Sequence, residues 1–327
     1  MRVGIDVSPL AQTRAGTARY LKALLRELGP PEVEVRRFGF GGDNRAATLA
    51  RELVWYPVGL PRATRRAGVD LLHCTTYRGP LRGGPPAVVT VHDLAVFRHP
   101  ETFPRWTRMY GRLVVPHMIR AARRVIAVSE FTRRELVELL RVPEERIRVV
   151  PNAVEDEFRP EGPAAEGDYV LAVGTLEPRK NLTRLGEAAR RLGVELRVVG
   201  ARGWGDVSTN GSGFRWLGEL PDDELARLYR GARCFAYTSL YEGFGIPILE
   251  AMACGVPVVA SVGSATEEVA GGAAVLVDPL DPAEIARGIE EAAARRDELR
   301  PLGLEQARRW TWRAVAAATV DVYREAM

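Results

Sequence analysis

Short apolar runs alternate with longer stretches in which apolar residues recur every three or four positions, and the alternation persists along almost the whole chain. Apolar runs bounded by Gly, Pro, Asn or Asp read as buried strands, and the longer periodic stretches read as amphipathic helices. In the first half the strand candidates are RVGIDV, VEVRRF, VDLLH, AVVTVHD, RVIAVS and IRVVPN. In the second half they are YVLAVG, ELRVVG, FRWLG, CFAYT, PVVAS and AAVLV. Strand–helix alternation of this kind predicts doubly wound α/β domains. Between the two sets lies NAVEDEFRPEGPAAEGD, an acidic stretch punctuated by Pro and Gly, which reads as an interdomain linker. The expected organisation is a first domain over 1–155, a second over 168–303 and a terminal helix over 304–327, anchored by burial of Trp310, Trp312 and Tyr323.

Composition is consistent with two soluble domains: 327 residues, 46% hydrophobic and 27% charged. The chain starts directly in a strand pattern with no basic and apolar leader, and no apolar run approaches bilayer-spanning length, so a cytoplasmic location is expected. Cys74, Cys234 and Cys254 are odd in number, lack metal-ligand spacing and sit in apolar surroundings, which predicts reduced packing residues.

Charge changes the picture. Residues 1–151 hold 26 Lys and Arg against 14 Asp and Glu, a balance of +12, which leaves −8 for the remainder. A basic first half suggests an anionic partner: membrane, phosphate-bearing acceptor or nucleic acid. Nucleic acid is disfavoured, because no recognised binding motif accompanies the charge. The most suggestive stretch, residues 104–124, interleaves Arg105, Arg108, Arg112, Arg120, Arg123 and Arg124 with Trp106, Met109, Tyr110, Leu113, Val114 and Ile119. Arginines at three- and four-residue spacing beside aromatics suit an anionic lipid surface at the inner face of a membrane, and Pro116 interrupts the helix. An ordinary amphipathic helix with a solvated arginine face is the alternative.

The densest chemistry lies in SLYEGFGIPILEAMACGVPVVAS, residues 239–261. Glu242 precedes a glycine-bracketed turn and Glu250 follows it, with a short helix expected to begin near Pro247 and to stop by Gly255. In a βαβ unit, ligands sit beyond the carboxyl end of the strand, where the helix N-terminus offers unpaired N–H groups. Gly243 and Gly245 let backbone amides approach a ligand closely. Ionised carboxylates accept hydrogen bonds from vicinal hydroxyls. Two of them beside a set of N–H donors suit a polyhydroxylated, anionic molecule such as a nucleotide sugar.

A second block, YVLAVGTLEPRKNLTRL (169–185), combines a buried strand, the adjacent cations Arg179 and Lys180, and Asn181 as an expected N-cap. Two cations and a helix dipole form a diphosphate site. Only Lys22 and Lys180 of the 46 basic residues are lysines. A general arginine bias does not explain a lysine kept beside an arginine in this turn, where a compact ammonium acts as a point charge.

Together these segments resemble the Glu-x7-Glu and phosphate-binding regions of the retaining family 4 glycosyltransferases of the GT-B fold. Further matches run through GARGWG (200–205), FRWLGELPDDELARLYRGA (214–232) and TEEVAGGAAVLVDPLDPAEIARGI (266–289). Upstream the likeness is thinner and rests on AGTARY (15–20), His92 and Asp93 in TVHDL, and AVSEFTRREL (127–136). The resemblance implies two doubly wound Rossmann-like domains facing a deep cleft, with the first taking the acceptor, the second the donor, and the C-terminal helix crossing back to the first. It implies a donor site of Gly16, Thr175, Arg179, Lys180, Leu217, Gly218, Glu242, Gly243, Phe244, Gly245, Ile246 and Glu250. Lys180, Arg179, Glu242 and His92 are its catalytic candidates. One departure stands out: where some members carry arginine after the strand glycine, Gly174 is followed here by Thr175, whose role stays open.

The implied reaction is transfer of a mannosyl or glucosyl group from a nucleoside diphosphate sugar to a hydroxyl of a glycan or lipid-linked acceptor in the cell envelope. Glu250 would bind the ribose, Glu242 with the amides of Phe244 and Gly245 the sugar, and His92 the donor sugar. His73, at a similar strand end, is a weaker candidate, and Asp93 either orients His92 or accepts the acceptor's proton. No metal and no cofactor are expected, since the sequence has no Asp-x-Asp pair. A nucleotide-sugar epimerase of the same fold and a non-catalytic nucleotide-sugar-binding subunit are the alternatives.

Overall fold

A computed structural model describes residues 1–12, 16–42, 44–204 and 213–327. Each of the apolar runs becomes a strand. In the first half these are β1 (Arg2–Asp6), β2 (Glu34–Phe38), β3 (Leu71–Cys74), β4 (Ala87–Val91), β5 (Arg124–Ala127) and β6 (Ile147–Val149). In the second they are β7 (Tyr169–Val173), β8 (Glu195–Val199), β9 (Arg215–Trp216), β10 (Cys234–Tyr237), β11 (Val258–Ser261) and β12 (Ala274–Val277). They form two parallel six-stranded sheets ordered β2-β1-β3-β4-β5-β6 and β12-β11-β10-β7-β8-β9. The central strands read as continuous apolar runs because helices cover both faces of a parallel sheet. β3, β10 and β11 are buried at every position, whereas edge strand β2 exposes Glu34, Arg36 and Arg37.

Each sheet has one point where the strand order reverses, between β1 and β3 in the first and between β7 and β10 in the second. At such a point the loops leaving two neighbouring strands part to opposite faces and open a crevice beyond their carboxyl ends. The second sheet packs Val170, Val198, Ala236 and Val259 against Leu185, Ile285 and Ile289 from its helices. The first packs Leu72, Val89 and Val125 against Tyr56, Val115 and Ile119.

The chain divides into one unit of Met1–Asn152 with Trp312–Met327, and another of Ala153–Thr311. The boundaries differ from those expected in two places. The acidic stretch does not hang free as a linker. Ala165 donates to the Arg227 carbonyl at 3.0 Å, Arg230 donates to the carbonyls of Pro163 and Arg159, and Phe158 meets the Tyr229 ring edge-on. Burial of Phe158, contributing about 1.5–3 kcal/mol, joins these hydrogen bonds in laying the polar segment onto the helix Asp222–Gly231. The terminal helix is two helices, Arg296–Arg308 and Trp312–Ala326, broken at Arg309–Thr311. Trp312 and Tyr323 are buried in the first unit, but half-buried Trp310 belongs to the second, against Phe244.

Residues 104–124 likewise split, as Pro116 implies, into Arg105–Leu113 and Val115–Ala121. Only Arg105, Arg108 and Arg112 belong to the first of these. Arg120 is drawn to the Leu140 carbonyl and Arg124 lies in β5 paired with Glu325, so the basic face is shorter than the pattern suggested. Cys74, Cys234 and Cys254 are free and buried.

His73 is a satisfied core histidine. Its Nδ1 lies 2.7 Å from the Tyr323 hydroxyl and its Nε2 2.9 Å from Thr90 Oγ1, and the Tyr20 hydroxyl lies 3.3 Å beyond. Burial drives its pKa down to about 3, and His92 pushes the same way, so the ring is neutral. The chain of polar groups ties the helix Trp312–Ala326 to β3 and β4. Removing the hydroxyl leaves a buried ring nitrogen unpaired, which costs about 1–3 kcal/mol. Tyr323→Phe is therefore expected to lower the urea-unfolding free energy by that amount with the fold retained; an unchanged midpoint would show that the hydrogen bond contributes nothing.

Candidate active site

β7 and β10 are parallel neighbours, with Val170 opposite Cys234 and Leu171 opposite Phe235. Their carboxyl ends therefore release loops 174–181 and 238–245 side by side at the reversal point of the second sheet. Backbone and side-chain bonds stitch these loops together. Leu240 donates to the Arg179 carbonyl at 2.9 Å, and Asn181 Nδ2 donates to the carbonyls of Thr238 and Pro279 at 3.0 and 2.7 Å.

Asn181 is thus not the side-chain N-cap that was expected. It adopts a left-handed φ of 58°, which Asn tolerates, and its buried amide turns away from the helix Leu182–Leu192 to satisfy two carbonyls. Arg179 and Lys180 close a single 3-10 turn, Pro178–Lys180, just before it. Lys180 runs its stem past Gly174, where a Cβ would come within 3.0 Å of Lys180 Cε.

The two cations converge on one carboxylate. Lys180 Nζ lies 2.6 Å from Glu242 Oε1 and Arg179 Nη1 3.0 Å from Glu242 Oε2. Arg179 also holds Glu177 at 2.6 Å and the Tyr241 carbonyl at 2.7 Å, and Lys180 reaches the Tyr237 hydroxyl at 2.9 Å. Burial alone would raise the Glu242 carboxyl, but Arg179 and Lys180 outweigh it and hold the pKa at about 2. Burial alone would likewise lower Lys180, but Glu242 reverses this and keeps the ammonium charged. Two acids and two bases give the cluster no net charge. Arg179 is gripped by two carboxylates, whereas Lys180 is held by one carboxylate and the Tyr237 hydroxyl.

Beyond Glu242 the chain passes Phe244, which is buried, and Gly245, whose left-handed φ of 117° caps the helix Ile246–Ala253 and brings the amides of its first turn to this edge of the sheet. Gly243 is buried beside them, and Ile246 is half-buried. Glu250 lies inside the same helix, fully buried, accepting from the Tyr229 hydroxyl at 3.0 Å. The two glutamates are both buried but have different partners: Glu242 joins the cation cluster and Glu250 accepts from Tyr229. On the other side, Gly174 donates to the Val199 carbonyl and Leu176 to the Ala201 carbonyl, so half-buried Thr175 lies where the turn after β7 meets the turn after β8. Leu217 donates to the Val198 carbonyl and Gly218 accepts from Gly200, which places both at the same sheet edge.

Gly16 and His92 belong to the first unit. Gly16 opens the helix Gly16–Glu27 with nothing within 4 Å of the position a Cβ would take. His92 follows β4, half-buried, with its Nε2 2.9 Å from the Thr75 carbonyl and its ring edge-on to Tyr20 at 4.9 Å. A carbonyl only accepts, so Nε2 carries the proton and Nδ1 is the acceptor nitrogen. Burial lowers the His92 pKa despite the opposing pull of the Thr75 carbonyl and Asp93, which favours the neutral ring. Asp93 accepts from the Ala95 amide at 3.0 Å, a local turn contact. Motif residues Ala15 and Gly205 lie outside the described residues.

Pattern reading missed Tyr237 and Glu177. Tyr237 was absorbed into an apolar strand, although a phenol at the last position of a buried strand, five residues before Glu242, is where a polar tip reaches the crevice. Glu177 stood in plain view two residues before Arg179.

Comparison with known proteins identifies the family. Residues 14–158 match the family model described as Glycosyltransferase Family 4, and residues 154–310 match that of Glycosyl transferases group 1. O-antigen chain mannosyltransferase B of Escherichia coli is 35% identical over 73% of this chain and 70% of its own length. The MMP alpha-(1->4)-mannosyltransferase of Mycolicibacterium hassiacum is 31% identical over 81% and 72% respectively. Among solved structures, sucrose-phosphate synthase from Thermosynechococcus elongatus superposes with a TM-score of 0.81 at 20% identity, covering 99% of this chain and 98% of that one. With two parallel six-stranded sheets, these family models and these relatives, the chain belongs to the family 4 glycosyltransferases of the GT-B fold and is a hexosyltransferase.

Proposed function

We propose that the chain moves a mannosyl group, with glucosyl the second choice, from a nucleoside diphosphate sugar to a hydroxyl of a cell-envelope glycan or lipid-linked acceptor, with retention and without metal or cofactor. The observation that carries the proposal is the Lys180–Glu242–Arg179 cluster at the reversal point of the second sheet. The mannosyl choice is supported by the names of the relatives. The reaction takes place on the cytoplasmic side, with residues 104–124 as a peripheral contact on an anionic membrane.

Breaking the bond from the anomeric carbon to the diphosphate oxygen leaves negative charge on the departing diphosphate. Lys180 and the amides opening the helix Ile246–Ala253 meet that charge, and Arg179 holds the turn in place. Glu242, ionised at any working pH, keeps spare lone pairs for sugar hydroxyls while it orients Lys180. The acceptor oxygen bonds to the anomeric carbon from the face the diphosphate leaves, and its proton passes to a diphosphate oxygen. Glu250 turns toward the ribose; in the first unit, neutral His92 offers Nδ1 as an acceptor for a hydroxyl and Gly16 leaves open space where its helix begins. Thr175, Leu217, Gly218, Phe244 and Ile246 line the nucleotide.

Lys180→Ala is expected to raise the barrier by roughly 2–4 kcal/mol, as loss of one oxyanion donor does, with circular dichroism unchanged. Lys180→Arg should recover only part of the rate, because a planar fork does not replace a point charge. Retention of more than half the wild-type turnover in the alanine variant would remove Lys180 from the mechanism.

Turnover is expected to persist in excess EDTA. Its abolition, with recovery on adding Mg²⁺ or Mn²⁺, would show that the cations of the cluster are not sufficient.

Glu242 also predicts a pH dependence. Its folded pKa of about 2 lies below the ordinary glutamate value of 4.5, so the unfolded chain binds the proton first. Its stabilisation is complete above about pH 4.5 and is lost as pH falls toward about 2. Glu242→Gln should therefore flatten the rise of unfolding free energy with pH across that window. At neutral pH, where it leaves the nearly buried Lys180 without a carboxylate while Arg179 keeps Glu177, it should cost roughly 3–5 kcal/mol. A variant with the wild-type pH slope would contradict the ion cluster.

A further inference from the structure

Two neighbouring helical segments of the first unit leave large apolar side chains in the open. On Arg105–Leu113 these are Trp106, Met109 and Leu113, spaced by three and four residues, the last 63% exposed. On the helical stretch 45–59 they are Leu49, Leu53 and Val54, with Leu53 at 64%. The segments are locked together by a buried polar joint. The Tyr110 hydroxyl donates to Glu52 Oε2, and Arg78 pairs with Glu52 Oε1 at 3.1 Å. Glu52 immediately precedes Leu53, and Tyr110 stands within one helical turn of Trp106 and Leu113, so both apolar stripes flank one fixed joint. Isolated exposed apolar residues need no explanation, but paired stripes held in register by a buried carboxylate do.

We propose that stretch 45–59 is a second membrane element, inserting Leu49, Leu53 and Val54 into the headgroup boundary of an anionic bilayer beside Arg105–Leu113. The proposal rests on the reading of residues 104–124 as a membrane contact and extends it to a two-helix face. Charge selects the occupant. Arg105 and Arg112 are exposed on the apolar helix, and residues 1–151 carry a balance of +12, so a second copy of this face would bring like charges together whereas an anionic lipid surface complements them. Arginine supplies the salt-sensitive attraction and the two stripes supply a part that salt does not screen.

The test is co-sedimentation of the full chain with phosphatidylcholine vesicles, alone or mixed with phosphatidylglycerol, at low and high salt. Wild type should bind the mixed vesicles, and the double variant L53S/V54S should weaken that binding about tenfold, mostly in the fraction that survives high salt. Its circular dichroism, and its transfer to a soluble acceptor, should be unchanged. If wild type shows no preference for anionic vesicles, the membrane reading of 104–124 falls and this proposal with it. If reversal of Arg105, Arg108 and Arg112 to glutamate abolishes binding while L53S/V54S binds like wild type, the earlier reading stands and the second element is overturned. If wild type dimerises in solution and L53S/V54S only abolishes the dimer, the face joins two copies and the proposal is also overturned.

Discussion

Adjacent cations in a nearly dry turn repel one another, and Arg179 and Lys180 can stay there only because Glu242 and Glu177 neutralise them. Glu242 comes from the loop after β10 and the cations from the loop after β7, so the compensation also fixes how those two loops lie. The carbonyl contacts of Asn181 and the Leu240–Arg179 bond follow the same seam. The cluster is thus an electrostatically balanced joint in the sheet, with its charges fixed in place and already accounted for.

The architecture was largely legible because parallel strands buried on both faces leave an unmistakable record of uninterrupted Val, Leu, Ile and Ala. YVLAV, CFAY and VVAS could hardly be anything else. Less legible were features decided by a few tertiary contacts. The acidic stretch after Asn152 has the composition of a linker, and only the seat of Phe158 on Tyr229, with Arg230 beneath the Pro163 carbonyl, makes it part of the second unit. The helical periodicity from 304 onward runs through Arg309–Thr311 without a break signal, yet the helix stops there.

In the site, charged residues were readable and their partners were not. Glu242, Arg179 and Lys180 announce themselves by type and position, whereas nothing local reveals that the three share hydrogen bonds, because that depends on β7 and β10 being neighbours across 60 residues of intervening chain. Asn181 shows the opposite error. Its residue type suits an N-cap, but a left-handed backbone and two unsatisfied carbonyls claimed its amide first. His73 and His92 look alike as strand-end histidines in the sequence, but His73 lies inside β3 opposite Val88 whereas His92 follows the last residue of β4, and that register separates a core histidine from one at the edge of the sheet.

The break at Arg309–Thr311 also has a bearing on biosynthesis. The first unit is nearly complete at Asn152 but takes its last helix from Trp312–Ala326, whose Tyr323 completes the hydrogen bonding of His73. During translation the second unit, Ala153–Thr311, is finished before that helix exists. The second unit is therefore continuous in sequence, whereas the first is closed by a helix that the chain reaches only after the whole of the second has been made.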